Sequence, residues 1–226
     1  MKATIAIISG LFTLHSLAQE ETAAMSRSLN NSKVTSTDAA SAGVSGLEAA
    51  RVLFTAGDHQ GAVEVYNELI ERDPRNAAAL WARSESYVQL GEQHRAETDL
   101  WNILGIHQRG AYAERAFLKL GEHSMANNDP RSAEIFFDRY VRIAPEEPQA
   151  WCKRGIARMA LHQDEEALDD LQQAIALDPY LDLAHVNKAL VLLRMGFRQE
   201  GCAALQLAHD LGDLSTEEML LIHCDR

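Results

Sequence analysis

The 226-residue chain predicts an all-α solenoid of five helical hairpins closed by a C-terminal capping helix. Three observations lead there. From Ser45 onward the apolar residues recur at helical spacing, with no alternating strand pattern. A block of residues returns with a period near 34. Gly and Pro punctuate the chain at the same places within each block.

Taken from the N-terminus, residues 1–18 have the anatomy of an export signal. Lys2 gives a positive start, Ala3 to Leu14 an apolar stretch, and Ser16-Leu17-Ala18 a small-residue cleavage site. The stretch is interrupted by Ser9, Gly10 and Thr13 and falls short of the ~20 apolar residues that spanning a bilayer needs. Cleavage after Ala18 is therefore expected, with no integral membrane segment in the mature chain. Residues 19–44 are rich in Ser, Thr and Ala and hold no aromatic residue. Such a stretch buries too little apolar surface to offset its ordering entropy, so a flexible tail is expected there.

The array occupies 45–226. Ala62, Ala96, Ala133, Ala167 and Gly201 anchor its blocks at spacings of 34, 37, 34 and 34, giving units at about 43–76, 77–110, 114–147, 148–181 and 182–214. Five residues before each anchor stand Gly57, Gly91, Asn128, His162 and Gly196, where one helix must end and the chain turn. Twelve before it stand Ala50, Ser84, Gly121, Gly155 and Ala189, all small, as close packing of two antiparallel helices requires. Tyr66, Leu100, Phe137 and Leu171 follow the first four anchors by four residues, one helical turn on and on the same face. Pro74, Pro145 and Pro179 close the second helices. Ser45-x-x-Glu48 and Ser215-x-x-Glu218 read as capping boxes opening the first and last helices, and Asp129-Pro130 as a helix start with Pro at its first position. Residues 215–224 then form the capping helix, expected to solvate the end of the stack, and eleven helices are the consequence.

These columns resemble the tetratricopeptide repeat (TPR) family, whose unit is 34 residues. The fourth block matches best, with Trp151, Gly155, Ala167, Ala174 and Pro179 in family positions. The first block has Gly46 where the opening aromatic is expected, the second ends in GIHQRG in place of the closing Pro, and the fifth has Gly201 at its anchor. Atypical terminal units are what a capped stack requires. The resemblance implies a right-handed superhelical α-solenoid that holds a protein or peptide partner in its concave groove.

Stacking accounts for Tyr66, Tyr87, Phe137, Trp151 and Leu171 as core, so function is sought on the remaining face of each first helix. Residues three before, one after and four after the small position form a stripe turned about 100° from the partner helix. The candidate groove residues are Arg51 and Phe54; Trp81, Glu85 and Val88; Arg115, Leu118, Glu122 and Met125; and Met159. Its central line, Arg51, Glu85, Glu122, Ile156 and Leu190, is charged toward the N-terminus and apolar toward the C-terminus. That suits a protein segment with a basic and an apolar portion, anchored on Trp81. A clamp for a terminal carboxylate is rejected, because Arg115 and Lys119 would stand beside Glu85 and Glu122.

Cys202 and Cys224 each lie eleven residues from Asp213 on antiparallel helices and can meet. In an oxidising compartment they are expected as a disulfide, worth about 3 kcal/mol by loop-closure entropy; two reduced, packed thiols are the alternative. Cys152 is left over as a core hydrophobe.

With 21 Lys+Arg against 33 Asp+Glu, a net charge of −12 leaves no footprint for a phosphate backbone, so no nucleic-acid partner is expected. The nine His show no spacing for metal ligands, and no nucleophile or phosphate-binding motif is present. No enzymatic activity, cofactor or metal is therefore expected. The reading is an exported TPR scaffold of an envelope or secretion assembly, in a bacterial periplasm first and secreted second. Homotypic assembly through an array end or the tail, and an envelope enzyme with an unrecognised site, are the alternatives. Oligomeric state is not legible.

Overall fold

The structure, a computed structural model, describes residues 46–224. The signal at 1–18, the tail at 19–44 and the Ser45 capping box lie outside the described residues. Eleven helices are present among those described: α1 Gly46–Thr55, α2 His59–Arg72, α3 Ala77–Gln89, α4 Gln93–Ile106, α5 Ala111–Ala126, α6 Pro130–Ile143, α7 Pro148–Ala160, α8 Asp164–Leu177, α9 Asp182–Arg194, α10 Arg198–Asp210 and α11 Thr216–His223. They belong to the α-solenoid class of stacked helical hairpins.

The helices fall into two compact units, dividing between Ile106 and His107. That division lies in the GIHQRG stretch, where the repeat spacing stretches to 37. In the first unit α1 pairs with α2 and α3 with α4, and α2 lies against α3. In the second unit α5–α6, α7–α8 and α9–α10 are the hairpins, consecutive hairpins stack, and α11 lies on α10.

Local chemistry explains the regularity. All five turn residues have positive φ: Gly57 84°, Gly91 75°, Asn128 57°, His162 60° and Gly196 89°. This left-handed residue reverses the chain after the first helix, and Asn and His accept it at a cost that Gly does not bear. Asp58, Asn76 and Asp129 each cap the helix they precede through a side-chain oxygen on the backbone N–H three residues on. Pro130 sits at the first helical position, where its missing N–H costs nothing.

The small column is where the two helices of a hairpin touch. A Cβ on Gly121 would stand 2.4 Å from the ring of Phe137, and one on Gly155 would stand 3.0 Å from Leu171. Tyr66, Phe137 and Leu171 are in turn almost completely buried. Trp151 is half-buried, with its indole N–H donating to the Pro145 carbonyl at 2.7 Å and the Arg154 guanidinium over its ring at 4.9 Å. One repeat later His185 makes the same bond to Pro179 at 3.0 Å, so the closing Pro of one hairpin is tied to the opening of the next.

Two expectations need correction at the C-terminal end. Ser215 does not form a capping box; its hydroxyl donates to Asp213 at 2.5 Å, and Asp213 takes the Ser215 N–H as well. Helix α11 solvates the stack only in part, with Glu217, Glu218 and His223 exposed. Met219 and Leu220 pack on Leu205, yet Leu221 and Ile222 stay 60% and 53% exposed, because four consecutive apolar residues cannot share one face of a helix.

Candidate partner-binding surface

In the first unit the expected stripe divides by chemistry. Phe54 packs on the Ala50–Tyr66 core, edge-on to His59 at 4.9 Å, while Arg51 is exposed and paired with Glu48 at 3.3 Å. From α3, Trp81 is half-buried, Glu85 exposed and Val88 45% exposed. Exposed charge beside a half-covered indole is what an interface anchor requires.

In the second unit most apolar members of the stripe belong to packing. Leu118 and Met125 lie against Phe137, and Ile156 and Met159 against the cluster around Leu171. Cys152 is fully buried, and burial pushes its thiol up to about 12, so it stays neutral and unreactive at ordinary pH. Arg115 is exposed.

Glu122 is not the open acid that its place in the stripe suggested. Lys119 on its own helix donates to it at 3.1 Å, and Lys153 on α7 donates at 2.8 Å. Partial burial works to raise the Glu122 carboxyl, and the two ammonium groups outweigh it and hold the group below the usual carboxylate range. The second unit therefore presents a Lys–Glu–Lys cluster that ties α5 to α7. Lys153 precedes its own small position by two residues and Glu122 follows its own by one, so comparing neighbouring blocks could have revealed the pair.

Sequence reasoning missed a second set of charges altogether. Arg83 on α3 donates to both oxygens of Asp99 on α4, at 2.9 and 2.6 Å, and to Asn67 on the preceding α2 at 2.7 Å. Arg154 on α7 repeats the arrangement, reaching Asp170 on α8 at 2.9 and 2.7 Å and Asp138 on the preceding α6 at 3.0 Å. Arg158 adds a further bond to Asp170 at 2.9 Å. Asp99 and Asp170 are buried. These bidentate pairs fix hairpin geometry and stacking register, and they are not free to receive a partner.

The sulfurs of Cys202 and Cys224 stand 2.08 Å apart, at disulfide distance, with Cα atoms 5.7 Å apart. Among the described residues no group of three His, Cys, Asp or Glu could hold a metal ion, and no helix is long and apolar enough to cross a membrane.

Comparisons with known proteins agree with this architecture. Residues 47–102 and 148–181 each match a family model described as tetratricopeptide repeat. The mitochondrial import receptor subunit TOM70 of Homo sapiens is 26% identical over 133 residues, 58% of this chain and 22% of that protein. The BBSome complex member BBS4 of Bos taurus is 24% identical over 132 residues, 58% of this chain and 25% of that protein. The matched part of the chain thus spans a quarter or less of these relatives. Among solved structures, MamA from Desulfovibrio magneticus RS-1 superposes with a TM-score of 0.64 at 18% identity, covering 73% of this chain and 91% of that one. YrrB, described as a TPR protein with an unusual peptide-binding site, gives a TM-score of 0.63 at 19% identity, covering 87% and 95%. Hairpins of this period, the left-handed turn column, the small-residue column and the two family matches together make the chain a member of the tetratricopeptide-repeat family.

Proposed function

We propose that the protein is an exported, non-catalytic scaffold that binds protein or peptide partners in an envelope or secretion assembly. A bacterial periplasm is the first choice of compartment and release from the cell the second. The observation that carries the reading is the row of polar side chains on the first helices. In the first unit Arg51, paired with Glu48, and Glu85, one turn after Trp81, are exposed; in the second Arg115 is exposed one turn before Lys119 of the Lys–Glu–Lys cluster. Such rows suit a partner recognised by charge and one aromatic anchor. The export signal at 1–18 and two cysteines at disulfide distance support an oxidising compartment.

The test is a pull-down from an envelope fraction with the wild-type protein beside a variant with Trp81, Glu85 and Glu122 changed to Ala. Partners held by the wild type and lost by the variant are expected. Identical recoveries would remove the stripe as the binding surface. Homotypic assembly through an array end is the second reading, favoured by the exposure of Leu207, Leu214, Leu221 and Ile222 at the C-terminal end.

A further inference from the structure

Helix α11 is held firmly at its two ends and lightly between them. At its start, the turn at 212–215 carries Gly212 with a φ of 108°, and the Thr216 hydroxyl donates to the Asp213 carbonyl at 2.6 Å. At its far end stands the Cys202–Cys224 pair, each cysteine eleven residues from Asp213. Between these points Thr216 is the one buried residue, and Met219 and Leu220 are partly buried against Ala204 and Leu205. Two cavities undercut the helix. The first, of about 500 Å³ toward α10, is lined in part by Cys202, Gln206, His209, Glu217, Leu221 and Cys224. The second, of about 490 Å³ toward α9, is lined in part by Leu193, Ile222 and His223. A helix of eight residues is too short to persist in water on its own. The cross-link therefore has a large share in keeping α11 in place. Closing 22 residues of chain favours the docked arrangement by up to roughly a hundredfold through loop-closure entropy.

We propose that the Cys202–Cys224 pair is a thiol-exchange site and that α11 is the lid it bolts, so that an attacking thiol frees α11 to swing out about the turn at 212–215. Access is provided by the first cavity, since both cysteines form part of its wall and both are only partly buried. A thiolate attacks one sulfur, the Cys202–Cys224 bond breaks, and the other sulfur leaves as a thiolate that takes up a proton. A second thiol then releases the first from the mixed disulfide. Two thiols are oxidised to a disulfide as the protein gains two thiols. Cys152, fully buried on α7, takes no part. What α11 covers is apolar: Ala189 and Leu205 are completely buried beneath it and Ala204 nearly so, with Leu193 beside them. Opening the lid turns this face of hairpin five toward solvent, while the Asp213 carbonyl keeps the start of α11 tethered. The proposal does not depend on reading the first-helix stripe as a binding surface.

Hydrogen exchange read by mass spectrometry tests the proposal, on the whole protein oxidised and then treated with dithiothreitol under native conditions. Alkylation after treatment should trap the thiols of Cys202 and Cys224, with Cys152 labelled only once the protein is denatured. Amides of residues 216–224 should then exchange about tenfold faster or more, while α5 to α8 keep their protection. Anilinonaphthalene sulfonate, a dye that lights up on apolar surface, should bind the reduced protein more strongly. Reoxidation should restore slow exchange. Cys202→Ser should exchange fast over 216–224 without reductant and give no response to dithiothreitol. A pair that resists dithiothreitol until the protein is denatured overturns the exchange site. Equal protection of α11 in the oxidised and reduced wild type, or in the oxidised wild type and Cys202→Ser, overturns the lid. So does loss of protection throughout α9 and α10 on reduction, since the bond then holds hairpin five together and not α11 alone.

Discussion

Hairpins two and four solve with charge what hairpin three solves with hydrocarbon. Thirteen residues before the anchor stand Arg83 and Arg154, each forked onto a buried Asp three residues after the anchor and onto an acceptor of the preceding hairpin. The same two positions of hairpin three hold Leu120, 3% exposed, and Phe136. Hairpin three is held by Gly121 against Phe137, a contact so close that a methyl group has no room. One backbone thus tolerates two kinds of adhesive. The apolar kind is non-directional, whereas the forked kind fixes the angle and register of three helices at once.

Breaking a fork tests this contrast most severely. Arg83→Ala leaves Asp99 buried without its guanidinium, and about 3–5 kcal/mol of stability should be lost in urea unfolding at neutral pH. Burial raises the Asp99 carboxyl while the Arg83 bonds work against it, so the loss should shrink on acidification, where a protonated Asp99 no longer needs a cation. Arg154→Ala should cost less, because Arg158 still reaches Asp170. Equal losses in the two variants would show that Arg158 contributes nothing to Asp170.

Gly121→Ala tests the hydrocarbon solution. About 1–3 kcal/mol should be lost as the Phe137 ring is displaced, and Phe137→Leu added to it should recover part of the loss. No recovery would mean that the backbone, and not the ring, sets the distance between α5 and α6.

Smallest is the effect at Glu122, between the two solutions, where α5 meets α7. Lys153 and Lys119 hold its folded-state carboxyl below the ordinary glutamate value, against the pull of burial. Its contribution is therefore present above the ordinary glutamate range and is lost as pH falls through the lowered value. Between about pH 5 and pH 2, Glu122→Gln should lose less stability than the wild type on acidification. Parallel pH profiles would remove the lysine pairs from the stability of this junction.

The hairpins were legible because their determinants repeat: small residues, left-handed turns and apolar rows return in nearly every block, so each block confirms the others. The forks were not, since they occur in two blocks of five and their partners belong to columns that elsewhere hold Val, Phe, Ala, Trp or Gln. The stripe was legible as a set of positions but only partly as chemistry. Leu118, Met125 and Met159 stand by periodicity on an open face, and packing claims them because neighbouring first helices come close enough to cover that side. The apolar outer side of α11 escaped notice because a single eight-residue helix offers no repeat against which to compare it.

The acceptors of the forks carry a further consequence. Arg154 needs Asp138, five residues after the anchor of the hairpin before it, and at the same place hairpin two carries Trp101. Excising hairpin three would take Asp138 from Arg154, which keeps Asp170, and would offer an indole in its place. The hairpins share a shape but are not interchangeable modules, and their order within each unit is written into the side chains that hairpins two and four borrow from their predecessors.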